Sequence, residues 1–384
     1  MNHSDTTTRS ITEIYGDLRC VSLCRCDSVV PIKKRKRSAM NTFRKMLGLG
    51  ALVLWTFSCR AQDQNFSQFY ELPLMRNPAL GGIFDCNFRV KSVFRKQWQS
   101  VTVPYQTAGV SMEMKLPSNT GNWHNLGFQM MYDVAGDSRL KRVSILPAYT
   151  FHLQIKEENF LSMGVIAGPV STQFDPYKLS WNDQFVNGQY SPTNPTQQTF
   201  RSGGRNYFDL GMGVAFTRPF GELGNLYLGY SMYHINKPIV SLDKTNDSIP
   251  RLAMRHGLNL GLTVPSGARD ALTLYGDAFW QGGNQMTVFG GFYTISLANE
   301  YYDEQNKTSL HLGGVYRWND AFIPVIKLDY SQFSFGLSYD MNMSKLKTAS
   351  QGRGGFELTI SYRNCRIGAD RSSGLPCPKF GSNF

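Results

Sequence analysis

Five histidines are spread over the regular part of the chain: His124, His152, His234, His256 and His311. Histidine is the side chain best suited to moving protons or binding metal near neutral pH, but these five make no metal-ligand spacing. The sequence has no His-Glu-x-x-His, no Gly-x-Ser-x-Gly elbow and no phosphate-cradling glycine motif. A hydrolase would have to gather Ser231, His256 and Asp277 from separate strands, and nothing in the sequence orients them as a relay. Cys24 and Cys26 have no second ligand pair nearby, so they do not indicate zinc. The expectation is a protein that is not an enzyme and uses no cofactor.

Other segments speak of export. Residues 40–61, MNTFRKMLGLGALVLWTFSCRA, put Arg44 and Lys45 before a twelve-residue apolar run, Met46 to Phe57, and then Cys59-Arg60-Ala61 as a cleavage site. The run is shorter than the roughly 20 residues of a spanning helix, so 40–61 reads as a signal peptide. Residues 1–39 lie upstream of Met40 and read as an overextended start or an unusually long leader. They include KKRKR at Lys33 to Arg37, but a basic cluster ahead of an export signal is no reason to expect a nucleic-acid partner. Of 40 Lys and Arg, eleven lie in residues 1–61 with four of the 28 Asp and Glu, leaving 29 against 24 from Gln62 onward. The mature part is therefore only mildly basic.

From residue 87 onward the pattern has period two. FSFGLSYDM sets Phe333, Phe335, Leu337, Tyr339 and Met341 on one face and Ser334, Gly336, Ser338 and Asp340 on the other. FELTISYR from Phe356 and GVSMEMKL from Gly109 repeat the arrangement. Fourteen such segments follow one another through tight turns. Those at 142–155 and 284–296 are interrupted by Pro147 and by Gly290-Gly291. No helical pattern separates them, which removes βαβ folds. An even strand number, and polar faces mixing Gly and Ser with single charges, predict an all-β fold: an antiparallel transmembrane β-barrel over 87–364 in the outer membrane, in contact with its lipid. A soluble sandwich is the competing reading.

Several stretches support something narrower. FSQFY with LPLMRNPALGG at the head of the mature chain, FRKQW from Phe94 to Trp98, PYQT from Pro104, FDPYKLSWNDQF from Phe174, YFDLGMGVAF from Tyr207, LYLGYSMYHINKP from Leu226 and most of 313–362 resemble, in order and spacing, the PorP/SprF family of type IX secretion proteins of Bacteroidota. The resemblance implies a FadL-like barrel of fourteen strands. It also implies work in a secretion machine: contact with ring components or peptidoglycan-anchoring components in the periplasm, and help with export or surface attachment of a secreted adhesin client. A FadL-like diffusion or uptake barrel for small or hydrophobic solutes is the alternative.

Parity places both termini of an even-stranded barrel in the periplasm. Residues 62–86 are then expected at the inner mouth as a periplasmic plug or docking segment, its aromatics against the lumen or lower rim, with Phe66, Phe69, Tyr70, Asn77 and Pro78 as partner-binding candidates; a mere tether into the first strand is the alternative. Arg95 and Trp98, near the outer end of the first strand, are two more, although Trp98 also fits an ordinary membrane-interface role. Residues 365–384 form a periplasmic tail. Among the cysteines, Cys86 and Cys365 flank the barrel and become neighbours on closure. A local Cys365–Cys377 loop is the slightly preferred disulfide, because strand stagger can separate the first pair.

Overall fold

Alternating apolar and polar residues build long strands in this structure, a computed structural model describing residues 63–84, 86–97, 103–117, 121–156, 158–196, 198–199, 204–220, 224–242, 251–266, 270–297, 308–344 and 352–364. The strands are β1 (Phe88–Gln97), β2 (Tyr105–Pro117), β3 (Trp123–Ala135), β4 (Leu140–Lys156), β5 (Asn159–Gln173), β6 (Phe185–Val186), β7 (Gln189–Tyr190), β8 (Arg205–Phe220), β9 (Gly224–Tyr233), β10 (Arg255–Pro265), β11 (Ala271–Gln281), β12 (Asn284–Ser296), β13 (Thr308–Arg317), β14 (Ala321–Tyr330), β15 (Phe333–Asn342) and β16 (Arg353–Asn364). β6 and β7 form a small hairpin within 179–197, a separate unit in which the Asn194 amide donates to the Gln184 carbonyl at 2.9 Å.

The other fourteen strands make one closed antiparallel barrel, each paired with its neighbour in the chain and β5 with β8. β1 closes on β16 without a break, from Phe88 opposite Asn364 to Gln97 opposite Gly355. Both interrupted segments form. Pro147 pairs with Phe128 on β3, while the β4–β5 pairing skips from Ser144 to Ala148. A residue without an N–H breaks the ladder on one side only.

Burial decides between sandwich and membrane barrel. In β15 the exposed positions are Phe333, Phe335, Leu337, Tyr339 and Met341, and the buried ones are Ser334, Gly336, Ser338 and Asp340. β16 exposes Phe356, Leu358 and Ile360 and buries Glu357, Thr359 and Ser361. A soluble sandwich would hide the apolar face. Here it faces outward around the wall, as lipid requires, and the polar face lines the lumen.

The free ends of β1 and β16 share one end of the barrel with the turn at 331–332; the connections 174–204 and 234–254 leave from the opposite end. Bacterial barrels keep short turns in the periplasm and longer loops outside. The termini therefore mark the inner end.

Candidate functional site

Residues 63–84 fill the lumen. Two prolines shape this segment: Pro73 opens a single α-helical turn, Pro73–Arg76, and Pro78 opens a 3-10 turn, Pro78–Leu80. Each occupies an early helical position, where its fixed φ is an advantage and its missing N–H costs nothing. Between them the Asn77 side chain accepts a hydrogen bond from the Ala79 N–H at 2.9 Å and caps the second turn. Gly82, at φ +81°, then redirects the chain toward β1.

The segment's partners change level by level. Asp63 reaches His234 Nε2 at 2.6 Å, Arg142 at 3.3 Å and Arg255 at 3.5 Å, and its N–H donates to Gln281 at 3.0 Å. All four sit at or beside the outer ends of their strands. Below them the Ser67 and Gln68 N–H groups donate to the Glu357 carboxylate at 2.5 and 2.8 Å, and the Ser67 hydroxyl to Asp340 at 2.5 Å. At mid-barrel the Glu71 carboxylate lies between Lys91, 2.8 Å away, and Lys327, 2.7 Å away. Arg76 forms a two-pronged pair with Asp277 at 2.6 and 2.7 Å and donates to the Tyr227 hydroxyl at 2.6 Å. Toward the inner end the Gly81 carbonyl accepts from His152 at 2.8 Å, the Gly82 N–H donates to Glu113 at 2.9 Å, and Lys115 donates to the Phe84 carbonyl.

This corrects one expectation. The segment does not stay at the inner mouth; it runs the length of the lumen, and Asp63 stands at the outer end. The physical reason is that its charges find opposite charges at every depth. A buried ion needs a partner, and Asp63, Glu71 and Arg76 each have one on the wall. At the outer mouth burial would push the Asp63 carboxyl up, but the charges of His234, Arg142 and Arg255 hold it well below the usual carboxylate range. Burial works against the His234 cation too, yet Asp63 and Asp209 raise its pKa to about 9.

Apolar side chains complete the fit. Phe66 packs with Leu72, Val93 and Met131. Phe69 meets Tyr275 edge-on, and Tyr70 stacks on Tyr275 with ring centroids 5.3 Å apart. Asn77 and Pro78 lie in a notch of three glycines, Gly164 on β5, Gly213 on β8 and Gly229 on β9, where any added Cβ would overlap one of those two residues. Cavities beside the segment are small: about 60 Å³ at the outer mouth, between Asp63, Leu74, Gln129 and Arg255, and about 30 Å³ beside Arg76. At roughly 10–15 Å³ per water, they hold a few waters and no larger solute.

Five of the predicted site residues, Phe66, Phe69, Tyr70, Asn77 and Pro78, are thus buried against their own barrel. Arg95 joins them in the lumen, bonding Asp340 at 2.7 Å and the Asn65 carbonyl, with the Glu357 carboxylate 3.4 Å from its Nε as an ion pair. Trp98, Cys365 and Cys377 lie outside the described residues. Cys86 is disulfide-bonded, to a cysteine that also lies outside them. Ser231, His256 and Asp277 are not brought together as a relay. Ser231 donates to the Arg76 carbonyl and Asp277 binds Arg76, both in the lumen, whereas His256 faces outward and bonds Tyr230. No group of three His, Cys, Asp or Glu among the described residues is placed to hold a metal. Sequence reading missed Asp63, Glu71 and Arg76; none lies in a strand, and the sequence shows only single charges, Lys91, Asp277 and Lys327, on the strands that hold their partners.

Residues 58–362 match the family described as "Type IX secretion system membrane protein PorP/SprF". The chain belongs to the PorP/SprF family. It is an outer-membrane β-barrel of that family, with fourteen barrel strands. None of the curated proteins compared with it matches its sequence. Among solved structures it is similar to the Ralstonia pickettii toluene transporter TbuX, at 10% identity and TM-score 0.42, over 76% of this chain and 92% of that one. A Pseudomonas aeruginosa FadL homologue matches at 12% identity and TM-score 0.44, over 75% and 92%. The P. putida toluene transporter TodX matches at 11% and 0.43, over 75% and 92%. The barrel of this PorP/SprF chain is established by its own strand pairing.

Proposed function

We propose that this PorP/SprF barrel works in type IX secretion as a closed, non-conducting platform. Its inner end contacts ring or peptidoglycan-anchoring components in the periplasm, and its outer end assists export or surface attachment of a client such as an adhesin. The observation that carries this reading is the filled lumen: among the described residues, 63–84 bind the wall at every depth, and the cavities found beside them are water-sized. An uptake barrel needs a route for solute, and the wall-to-segment contacts occupy that route. Fold alone does not choose a function; family membership and the filled lumen support this one.

The test is crosslinking in intact cells followed by purification of the barrel and identification of what travels with it. Periplasmic ring or anchor components and a secreted client are the expected partners. Recovery of the barrel without them, together with accumulation of a small solute that depends on the barrel, would replace this reading with the uptake one.

A further inference from the structure

We infer that the amino-terminal end of the mature chain crosses the outer membrane inside its own barrel and is presented at the cell surface. The direction of the segment is fixed by the strand ends it touches. Asp63 is held by Arg142, the third residue of β4, by His234, directly after β9, by Arg255, the first residue of β10, and by Gln281, the last residue of β11. All belong to the end from which the connections 174–204 and 234–254 leave. At the opposite end Gly82 bonds Glu113, which pairs with Arg89, the second residue of β1.

Continuity of the chain does the rest. Residue 86 is bound to the inner end by its connection to β1, and residues 64–84 fill the space between the two mouths. Whatever precedes Asp63 would have to pass back through a filled lumen to reach the periplasm, so its exit is outward. The signal peptide ends at Ala61 by its sequence pattern, which leaves one residue, Gln62, between the new amino terminus and the Asp63 cluster. A chain whose end is held this way is enclosed as the barrel closes around it. An uncleaved apolar leader would have to be enclosed with it.

The experiment uses the full-length protein in an outer membrane. A short epitope is inserted between Gln62 and Asp63 in one variant and after Gln332, in the inner turn between β14 and β15, in another; heat-modifiable mobility confirms that each barrel has folded. Antibody is expected to label the first variant on intact cells and the second only after the membrane is permeabilised. A second reporter, Gln62→Cys with a membrane-impermeant maleimide, covers the case in which the epitope prevents the segment from seating. Silence of both amino-terminal reporters on intact cells overturns the inference, whether or not permeabilisation restores them. Surface labelling by either one supports it.

Discussion

Arg76 and Asp277 are 201 positions apart in sequence and are joined in the lumen by two parallel hydrogen bonds of 2.6 and 2.7 Å, with the Tyr227 hydroxyl and the Asn259 amide completing the group. Neither charge has access to bulk water. Removing one partner leaves the other buried and uncompensated, which costs roughly 3–5 kcal/mol. Arg76→Met and Asp277→Asn are each expected to lower the temperature at which the folded band disappears in a heat-modifiability gel. The double variant Arg76→Met/Asp277→Leu is expected to regain most of the loss. The rate of band loss at one fixed temperature serves as a second readout, since it holds whether or not unfolding is reversible.

The glycine notch gives a sharper test of seating. A Cβ at Gly213 would overlap the Asn77 side chain, and one at Gly164 the Pro78 backbone, whereas one at Gly291 meets only Leu274 at an ordinary 3.4 Å. Gly164→Ala is expected to destabilise by roughly 1–3 kcal/mol, the range for overpacking, and to expose residues 63–84 to added protease. Gly291→Ala is expected to behave as wild type in both assays. Equal protease resistance of the two variants would show that the notch does not position the segment.

Histidine 234 makes the outer clasp depend on pH. Its pKa in the folded protein is raised to about 9 from an ordinary 6.5, so the stabilisation it contributes is fully present below about 6.5 and is lost as pH rises through 9. The groups around it are Asp63 and Asp209, with Arg142 and Arg255 also facing Asp63. Labelling at position 62 or protease cutting near Asp63 should increase between pH 7 and pH 10. His234→Gln should remove that rise and show the looser clasp already at pH 7.

The register of the barrel seam leads to a prediction for the disulfide. β1 and β16 are paired as far as Phe88 and Asn364, and the Asn87 N–H donates to the Asn364 carbonyl at 3.3 Å. Cys86 lies two residues before Phe88 and Cys365 one residue after Asn364, so the register carried on past the last pair would leave them only one position out of step. With Cys86 disulfide-bonded, the expected pairing is Cys86–Cys365, leaving Cys377 as the free thiol instead of the local tail loop. Non-reducing peptide mapping that finds Cys365 joined to Cys377 would contradict this.

Much of the fold was legible because a period of two is a local signal. The segment read at 284–296 is the observed β12 to the residue, even though Gly290-Gly291 interrupts it. The sequence left open which face is wet, since alternation is the same in a sandwich and a lipid-facing barrel; only the burial of Glu357 and Asp340 beside exposed Phe356 and Met341 decides it. The lumen contacts were less legible still. Glu71 meets Lys91 and Lys327, and nothing local marks a pairing over hundreds of residues. A glycine inside a strand, such as Gly213, leaves room for a close approach without saying by what.

The most direct measurement of the closed-lumen account is ion conductance of the purified barrel in a planar bilayer, for the intact chain and for a variant lacking residues 63–84. The intact barrel is expected to insert without measurable steady conductance, and the shortened one to open a stable conducting state. A steady open conductance from the intact chain, equal to that of the shortened one, would contradict the account.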